Sequence, residues 1–335
     1  MTVRRPTISD LAREAGVSRS TASRALTGRG YVATPVRERV VAAADRLGYV
    51  PDAVARSLRV RSTRAIGVLI SDLRNPFYAD VATAVERHLR SRGYHIIVAN
   101  SDGLDEEERA AATVFTASRV AGVIVAPVSP IARRLIDAGV TVVEIDRQMV
   151  AGACDAVLLE NAAGAEAATA HLLELGHRRI GLLLGEMNWT TGPERLAGYR
   201  AALERFRVPF DDRLLQEAPH APGDENQTSL LLDRCPDVTA IFATNNLMAE
   251  EAVGEIQRRG LAIPDDLSLV AFDDIPWMSI LMPGVTAVAQ PTADIGRAAA
   301  DLLLERLNGE RTGDPVVVRL DPSLVVRGST APPPA

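Results

Sequence analysis

The sequence predicts an α/β protein: a small all-α domain at the N-terminus, then a larger domain of parallel strands covered by helices. Three observations carry this expectation. In TISDLAREAGVSRSTASRAL, residues 7–26, two short helical patterns flank Gly16. From Ala65 onward, β-branched apolar runs alternate with Ala-rich amphipathic stretches, the pattern of a parallel sheet with helices on its faces. The formal net charge of −6 is also split, because residues 1–64 carry 13 Arg against 5 acidic residues and the rest carry 24 Arg against 38. A basic first segment on an acidic body predicts a polyanion-binding part joined to a part that binds something else. All 37 basic residues are Arg, which reads as compositional bias and not as chemistry.

Thr7 and Asp10 form a T-x-x-D capping box that starts a helix running to about Ala15, and Gly16 ends it. Ser18 can cap a second helix, on which Ala22, Ala25 and Leu26 make the buried stripe while Arg19, Ser20, Ser23 and Arg24 share the opposite face. Ala12 and Ala15 let the helices cross closely and Val17 fills the corner, as a helix-turn-helix requires. A third helix is marked by Thr34 as cap, Pro35 at the first helical position, a stripe of Val36, Val40, Ala43, Ala44 and Leu47, and Gly48 at the end.

The body offers the strand runs AIGVLI, YHIIVAN, AGVIVAP, TVVEID, AVLLE, RIGLLLG, AIFAT, LSLVAFDD and TAVAQ. Ligands of such sheets sit beyond the carboxyl ends of the strands. Those positions carry NPFY at 75–78, NSD at 100–102, IDRQ at 145–148, Arg195 in GPERLAGY, Asn245 in TNN, Asp273 in FDD and Gln290 in AQPT. Amides, carboxylates and guanidinium groups bind vicinal hydroxyls, and aromatic rings cover a C–H face, so this is the inventory a sugar needs.

Other classes are disfavoured. With 335 residues, 47% of them hydrophobic, the chain can bury a real core, and disorder is excluded as its main state. Cys154 and Cys235 form no CxxC or Cys/His cluster, so neither a disulfide framework nor a metal site is expected. No apolar leader and no run of about 18 apolar residues occurs, so a cytoplasmic protein without membrane contact is expected. No GxGxxG after a strand, GxxxxGK[ST], GxSxG or HExxH is present, so no cofactor and no catalytic residue is assigned. His88, His95, His171, His177 and His220 are scattered, and His177 reads as a helix-end residue before it reads as a general base.

GYVPDAVARSLRVRSTRAIGVLI follows the third helix, and with the T-I-x-D-L-A-x-x-A-G-V-S-x-x-T-x-S-R-x-L start it resembles the LacI family of bacterial transcription regulators over essentially the whole chain. The resemblance implies a helix-turn-helix domain (1–50), a hinge helix or linker (51–64), and a two-lobed, periplasmic-binding-protein-like α/β effector and dimerisation domain with parallel sheets (65–328). Its N-lobe spans about 65–160 and 291–320 and its C-lobe about 161–290 and 321–328, with crossings near Glu160, Gln290 and Asp321 and a tail at 329–335. It also implies double-stranded operator DNA as partner. Arg19, Ser20 and Arg24 would face base edges, Ser18, Thr21 and Ser23 would lie on or near phosphates, and Thr7, Arg56 and Leu58 complete the DNA-binding set, Leu58 as a minor-groove wedge. A hinge helix begun at Pro51, about eight residues long, is too short to be stable alone and would order on DNA.

On the same resemblance, Asn75, Phe77, Tyr78, Asp146, Arg147, Arg195, Asn245, Asp273 and Gln290 map onto sugar-contacting positions. The sequence departs from the family's pattern at Asp52, at Asn246 where an Asp is usual, at Glu160–Asn161, and near residue 220, where Pro219 or His220 replaces an expected aromatic. The reading is therefore a repressor that binds a pseudopalindromic operator as a homodimer and is tuned by a small-molecule effector, a ribose-like pentose or related sugar or polyol. The C-terminus GSTAPPPA has no leucine heptad, which favours a dimer over a tetramer. A purine or other non-sugar corepressor stacked on Phe77, Tyr78 and Trp277 is the alternative within the class. A solute-binding protein without transcriptional role is the alternative outside it.

Overall fold

In the computed structural model, which describes residues 6–28, 30–49, 63–217 and 226–334, the chain divides between Thr63 and Arg64 into two units. The first unit holds helices α1 (Ile8–Glu14), α2 (Arg19–Thr27) and α3 (Thr34–Leu47). The capping box forms as the sequence predicts: Thr7 Oγ1 accepts from Asp10 N at 3.3 Å and Asp10 Oδ2 accepts from Thr7 N at 2.9 Å. Gly16, at φ +64°, makes the turn, and Ser18 Oγ caps α2 by accepting from Thr21 N at 3.1 Å. Leu11, Ala12, Ala15, Ala22, Ala25, Val40, Ala43 and Ala44 form the core, with Val17, Leu26 and Leu47 packed against it. One detail differs from expectation. Thr34 is the first helical residue of α3 and not its cap; Ala33 holds the extended cap position, and no side chain caps this end.

The second unit contains two six-stranded sheets. The first has β1 (Ala65–Ile70), β2 (His95–Asn100), β3 (Gly122–Val125), β4 (Thr141–Ile145), β5 (Asp155–Leu159) and the late strand β11 (Val317–Leu320), in the order β11-β5-β4-β3-β1-β2. The second has β6 (Ile180–Leu184), β7 (Leu215–Glu217), β8 (Ala240–Ala243), β9 (Ser268–Phe272), β10 (Thr286–Ala289) and β12 (Ser323–Val325), in the order β12-β10-β9-β8-β6-β7. The two orders are the same pattern, and all pairings are parallel except the antiparallel β10–β12. All nine runs read from the sequence are strands; β7, β11 and β12 are additions to them.

The covering helices that matter below are α4 (Pro76–Arg90), α5 (Asp105–Ala117), α6 (Ile131–Asp137), α7 (Asn161–Glu174), α8 (Thr191–Arg205), α9 (Gln227–Arg234), α10 (Asn246–Arg258), α11 (Pro276–Ile280) and α12 (Thr292–Leu307). Near-continuous apolar strands such as Ile66, Val68 and Ile70 pack on α4 and α12, as expected of strands buried on both faces. Helices α7 and α8 cross so closely that a Cβ on Gly198 would lie 2.1 Å from the Ala162 carbonyl oxygen. The chain passes between the sheets at Glu160, at Gln290 and at Asp321, so each sheet recruits its last strand or helix from late in the sequence. Residues 329–331, assigned above to the tail, are seated against the second sheet. Ser329 is fully buried, its hydroxyl donates to Leu269 O at 2.6 Å, and the Ala331 carbonyl accepts from His177 Nε2 at 2.8 Å. His177 is thus a structural histidine just past the end of α7, with Thr239 Oγ1 at 2.9 Å from its other ring nitrogen.

Candidate functional site

In the first unit, Arg19, Ser20 and Arg24 are exposed on α2, opposite the Ala22 and Ala25 stripe, while Thr21 and Ser23 are half-buried. Arg24 Nε donates to Ser20 O at 3.3 Å, and Ser18 Oγ lies 2.8 Å from both Ser20 Oγ and Thr21 Oγ1. The cap and first turn of α2 therefore gather three hydroxyls beside the Arg19 guanidinium, and Arg24 adds a second guanidinium from the helix's last turn, a donor inventory suited to phosphates and base edges. Thr7 is committed to its capping box. Arg56 and Leu58 lie outside the described residues, as do Pro219 and His220.

In the second unit, the segments following β1, β2, β4, β6, β8, β9 and β10 open on one cavity of about 490 Å³. All nine effector residues singled out in the sequence line it: Asn75, Phe77, Tyr78 and Asp146, Arg147 from the first lobe, and Arg195, Asn245, Asp273 and Gln290 from the second. The convergence follows from topology, since parallel strands point all their carboxyl ends the same way and the two lobes face each other at those ends.

Two carboxylates occupy matching places. Asp146 ends β4 and Asp273 ends β9, strands at the same position in their sheet orders, and both residues sit in the left-handed region at φ +64° and +70°. Asp tolerates that conformation better than most residues. Asp146 Oδ2 accepts from Tyr78 OH at 2.8 Å and from Arg147 Nε at 3.0 Å. Arg147 is fully buried and also donates to Ser71 Oγ at 2.8 Å, to the Tyr78 hydroxyl and to Pro127 O. Burial pushes the Tyr78 phenol well above its ordinary range, so it serves as a hydroxyl throughout. Asp273 Oδ1 accepts from Gln290 Nε2 at 2.6 Å and Oδ2 from Asn246 Nδ2 at 3.2 Å. Burial raises the Asp273 carboxyl despite the opposing Arg195 charge. Arg195 lies 3.8 Å over the Phe272 ring and donates to Asn161 Oδ1 and Thr244 O. Asn75 and Asn245 cap α4 and α10 as well as facing the cavity.

Three contacts join the lobes around the cavity. Asn246 Nδ2 donates to Asn75 Oδ1 at 2.8 Å, Gln148 N donates to Thr190 Oγ1 at 3.3 Å, and the Arg147 guanidinium lies 3.8 Å from the centre of the Trp189 ring. Asn246, noted above as a departure, is physically apt: an amide donates to both neighbours where an Asp would face the Asp273 carboxylate.

Trp189, Glu186 and Arg74, which the sequence does not single out, also line the cavity, as does Asp102 of the NSD segment noted above. Trp189 lies between β6 and α8, in a segment beyond a strand's carboxyl end whose other functional side chain is Arg195. Trp277, named above as a stacking ring, is elsewhere; it packs on the core beneath α11. None of His88, His95, His171 and His177 lines the cavity, and among the described residues no cluster of His, Cys, Asp or Glu could hold a metal. No described helix is long and apolar enough to cross a membrane.

A helix-turn-helix unit followed by two facing α/β lobes around a polar cleft defines a ligand-responsive DNA-binding regulator. Residues 7–52 match the bacterial regulatory proteins of the lacI family, and residues 169–330 match the periplasmic binding protein-like domain. The chain is 35% identical to the HTH-type transcriptional regulator CelR of Thermobifida fusca, over 97% of this chain and 98% of that one. It is 31% identical to the HTH-type transcriptional repressor PurR of Vibrio atlanticus, over 96% and 98%. Among solved structures, the CelR–cellobiose complex superposes with a TM-score of 0.72 at 32% identity, covering 97% of this chain and 100% of that one. The lac repressor dimer bound to operator and the anti-inducer ONPF superposes with 0.83 at 27% identity, covering 98% and 100%. The chain belongs to the LacI family. It is a transcriptional regulator and not an enzyme, and the reading as a solute-binding protein without a transcriptional role is set aside by the match of its first domain.

Proposed function

We propose that this regulator is a cytoplasmic repressor that binds a pseudopalindromic operator as a homodimer and responds to a small sugar held between the lobes of its second unit. The observation that carries the effector assignment is the convergence of acids, amides and guanidinium groups from both lobes on one cavity, with hydrogen-bonding capacity on opposite sides of a ligand-sized space. A sugar presents hydroxyls in every direction and satisfies such a site; an apolar ligand would leave it unpaired. The cellobiose complex of CelR supports the sugar class by likeness.

In this reading Arg19, Ser20 and Arg24 meet base edges, Ser18, Thr21 and Ser23 meet the backbone, and residues 51–64 transmit the state of the cleft. The effector acts only through a difference in affinity between the operator-competent and operator-released states. The second reading, a purine corepressor, is favoured by the half-exposed Trp189 ring in the cavity, which could stack a base.

Thermal unfolding of the full chain with cellobiose, ribose and hypoxanthine discriminates them. A ligand at one hundred times its Kd should stabilise the protein by about 2.7 kcal/mol. Stabilisation by a sugar and not by hypoxanthine supports the first reading; the reverse pattern supports the second.

A further inference from the structure

The cavity is graded from floor to rim. Its floor is buried and carries Asp146, Arg147, Arg195 and Asp273. Among the described residues, its rim is exposed or half-buried and carries Trp189 with Asp102, Glu186, Glu250 and Glu251 against a single guanidinium, Arg74, which is itself paired with Asp72 and Asp102.

Size comes first. At the close packing of a protein site, a pentose occupies on the order of 150 Å³ and a disaccharide on the order of 350 Å³. The cavity measures about 490 Å³. This volume is not that of splayed lobes, because Asn246–Asn75, Gln148–Thr190 and Arg147–Trp189 already bridge them. A single ring on the floor would leave most of the space to water.

The rim supplies what a second ring needs. The Trp189 indole is fixed by the Arg147 guanidinium on one face and remains half-exposed, so its accessible surface can pack the C–H face of a pyranose. The carboxylates around it offer acceptors to hydroxyls and disfavour anions, because four negative groups outnumber the Arg74 guanidinium among the described rim residues.

We propose that the effector is a neutral sugar of at least two rings, the first on the buried floor and the second against Trp189, and that the acidic rim rejects phosphorylated and uronic sugars. This rests on the sugar reading above and deepens it by naming length and charge.

The test is titration calorimetry of the full chain with a panel of α- and β-linked disaccharides of glucose, galactose, mannose and xylose, their monosaccharides, ribose, and glucose 6-phosphate. The proposal expects at least one disaccharide to bind more than tenfold tighter than its component monosaccharide and than ribose, and glucose 6-phosphate to bind more than tenfold weaker than glucose. Trp189→Ala should collapse the disaccharide-to-monosaccharide ratio towards one, and Trp189→Phe should keep most of it. The ratio isolates the second ring's contribution from any general effect on folding. Monosaccharides that bind as tightly as every disaccharide, a ratio untouched by W189A, or glucose 6-phosphate that binds as well as glucose would overturn the proposal while leaving a sugar regulator intact. If no member of the panel binds, the sugar reading falls and this inference with it.

Discussion

Asn246 shows how much a single atom type decides in this cleft. Its amide donates to Asn75 in one lobe and to Asp273 in the other, so it both bridges the lobes and satisfies a buried carboxylate. Asn246→Asp would remove the donor and set a second carboxyl beside Asp273. Two such groups cannot both ionise cheaply, so one takes up a proton or the cleft opens. The variant should lose about 1–3 kcal/mol at pH 7 and much less at pH 4, read by urea unfolding at both values. Equal losses at the two pH values would mean that charge repulsion is not the cause. The same residue marks the limit of the sequence. Asn75, Asp146, Asp273 and Gln290 were legible because each lies just beyond a strand run, and parallel topology forces such positions together, whereas Arg195 lies within α8 and was legible from the family resemblance. Asn246 stood out only as a departure, since the bridge it makes depends on which lobe faces which. Trp189 was illegible for a related reason: a ring in a loop declares no partner until Arg147 lies over it.

At the level of elements, the crossing of α7 and α8 is the tightest constraint near the site, because α8 carries Arg195 and the loop before it carries Trp189. Gly198 sits where the helices meet, with Ala162 O and Glu166 N at 2.1 and 2.8 Å from a built Cβ. Both obstacles are backbone and cannot turn aside as a side chain would. Gly198→Ala should therefore destabilise by about 1–3 kcal/mol or more, although alanine is the better helix former. Chemical denaturation checks the sign, and a neutral or stabilising result would refute the close crossing. The elements themselves were largely readable: nine apolar runs became nine strands. The strands that were not readable are short and half-exposed. β7, β11 and β12 consist of exposed and half-buried residues in place of a continuous apolar run, and each lies at the edge of its sheet. The N-terminal helices were legible from caps, and only Thr34 misled, since a threonine before a proline is as good a first residue as a cap.

For the whole molecule, buried titratable groups make folding stability depend on pH. Glu144 on β4 is fully buried, accepts from Met149 N at 3.4 Å and feels the Glu108 carboxylate; burial pushes its carboxyl up to about 7. An acid raised in the folded state binds more protons than in the unfolded chain between about pH 4.5 and 7. Its contribution is thus fully present below its unfolded value and is lost as pH rises through 7. Glu144→Gln keeps an acceptor without the charge, so its stability relative to the parent should improve by up to about 3 kcal/mol between pH 4.5 and pH 8. His177 moves oppositely: burial lowers it, so its contribution is present above about 6.5 and falls away as the solution is acidified. That term is common to both proteins and cancels in the comparison. The central claim concerns coupling between the helix-turn-helix unit and the cleft, and one titration addresses it most directly. Fluorescence anisotropy of the full chain on a labelled duplex from its own upstream region, at fixed salt, would be measured with and without the sugar selected by calorimetry. A change in operator affinity above tenfold, about 1.4 kcal/mol of coupling, is the predicted result; sequence-specific binding that stays the same while the cleft is saturated with that sugar would contradict it.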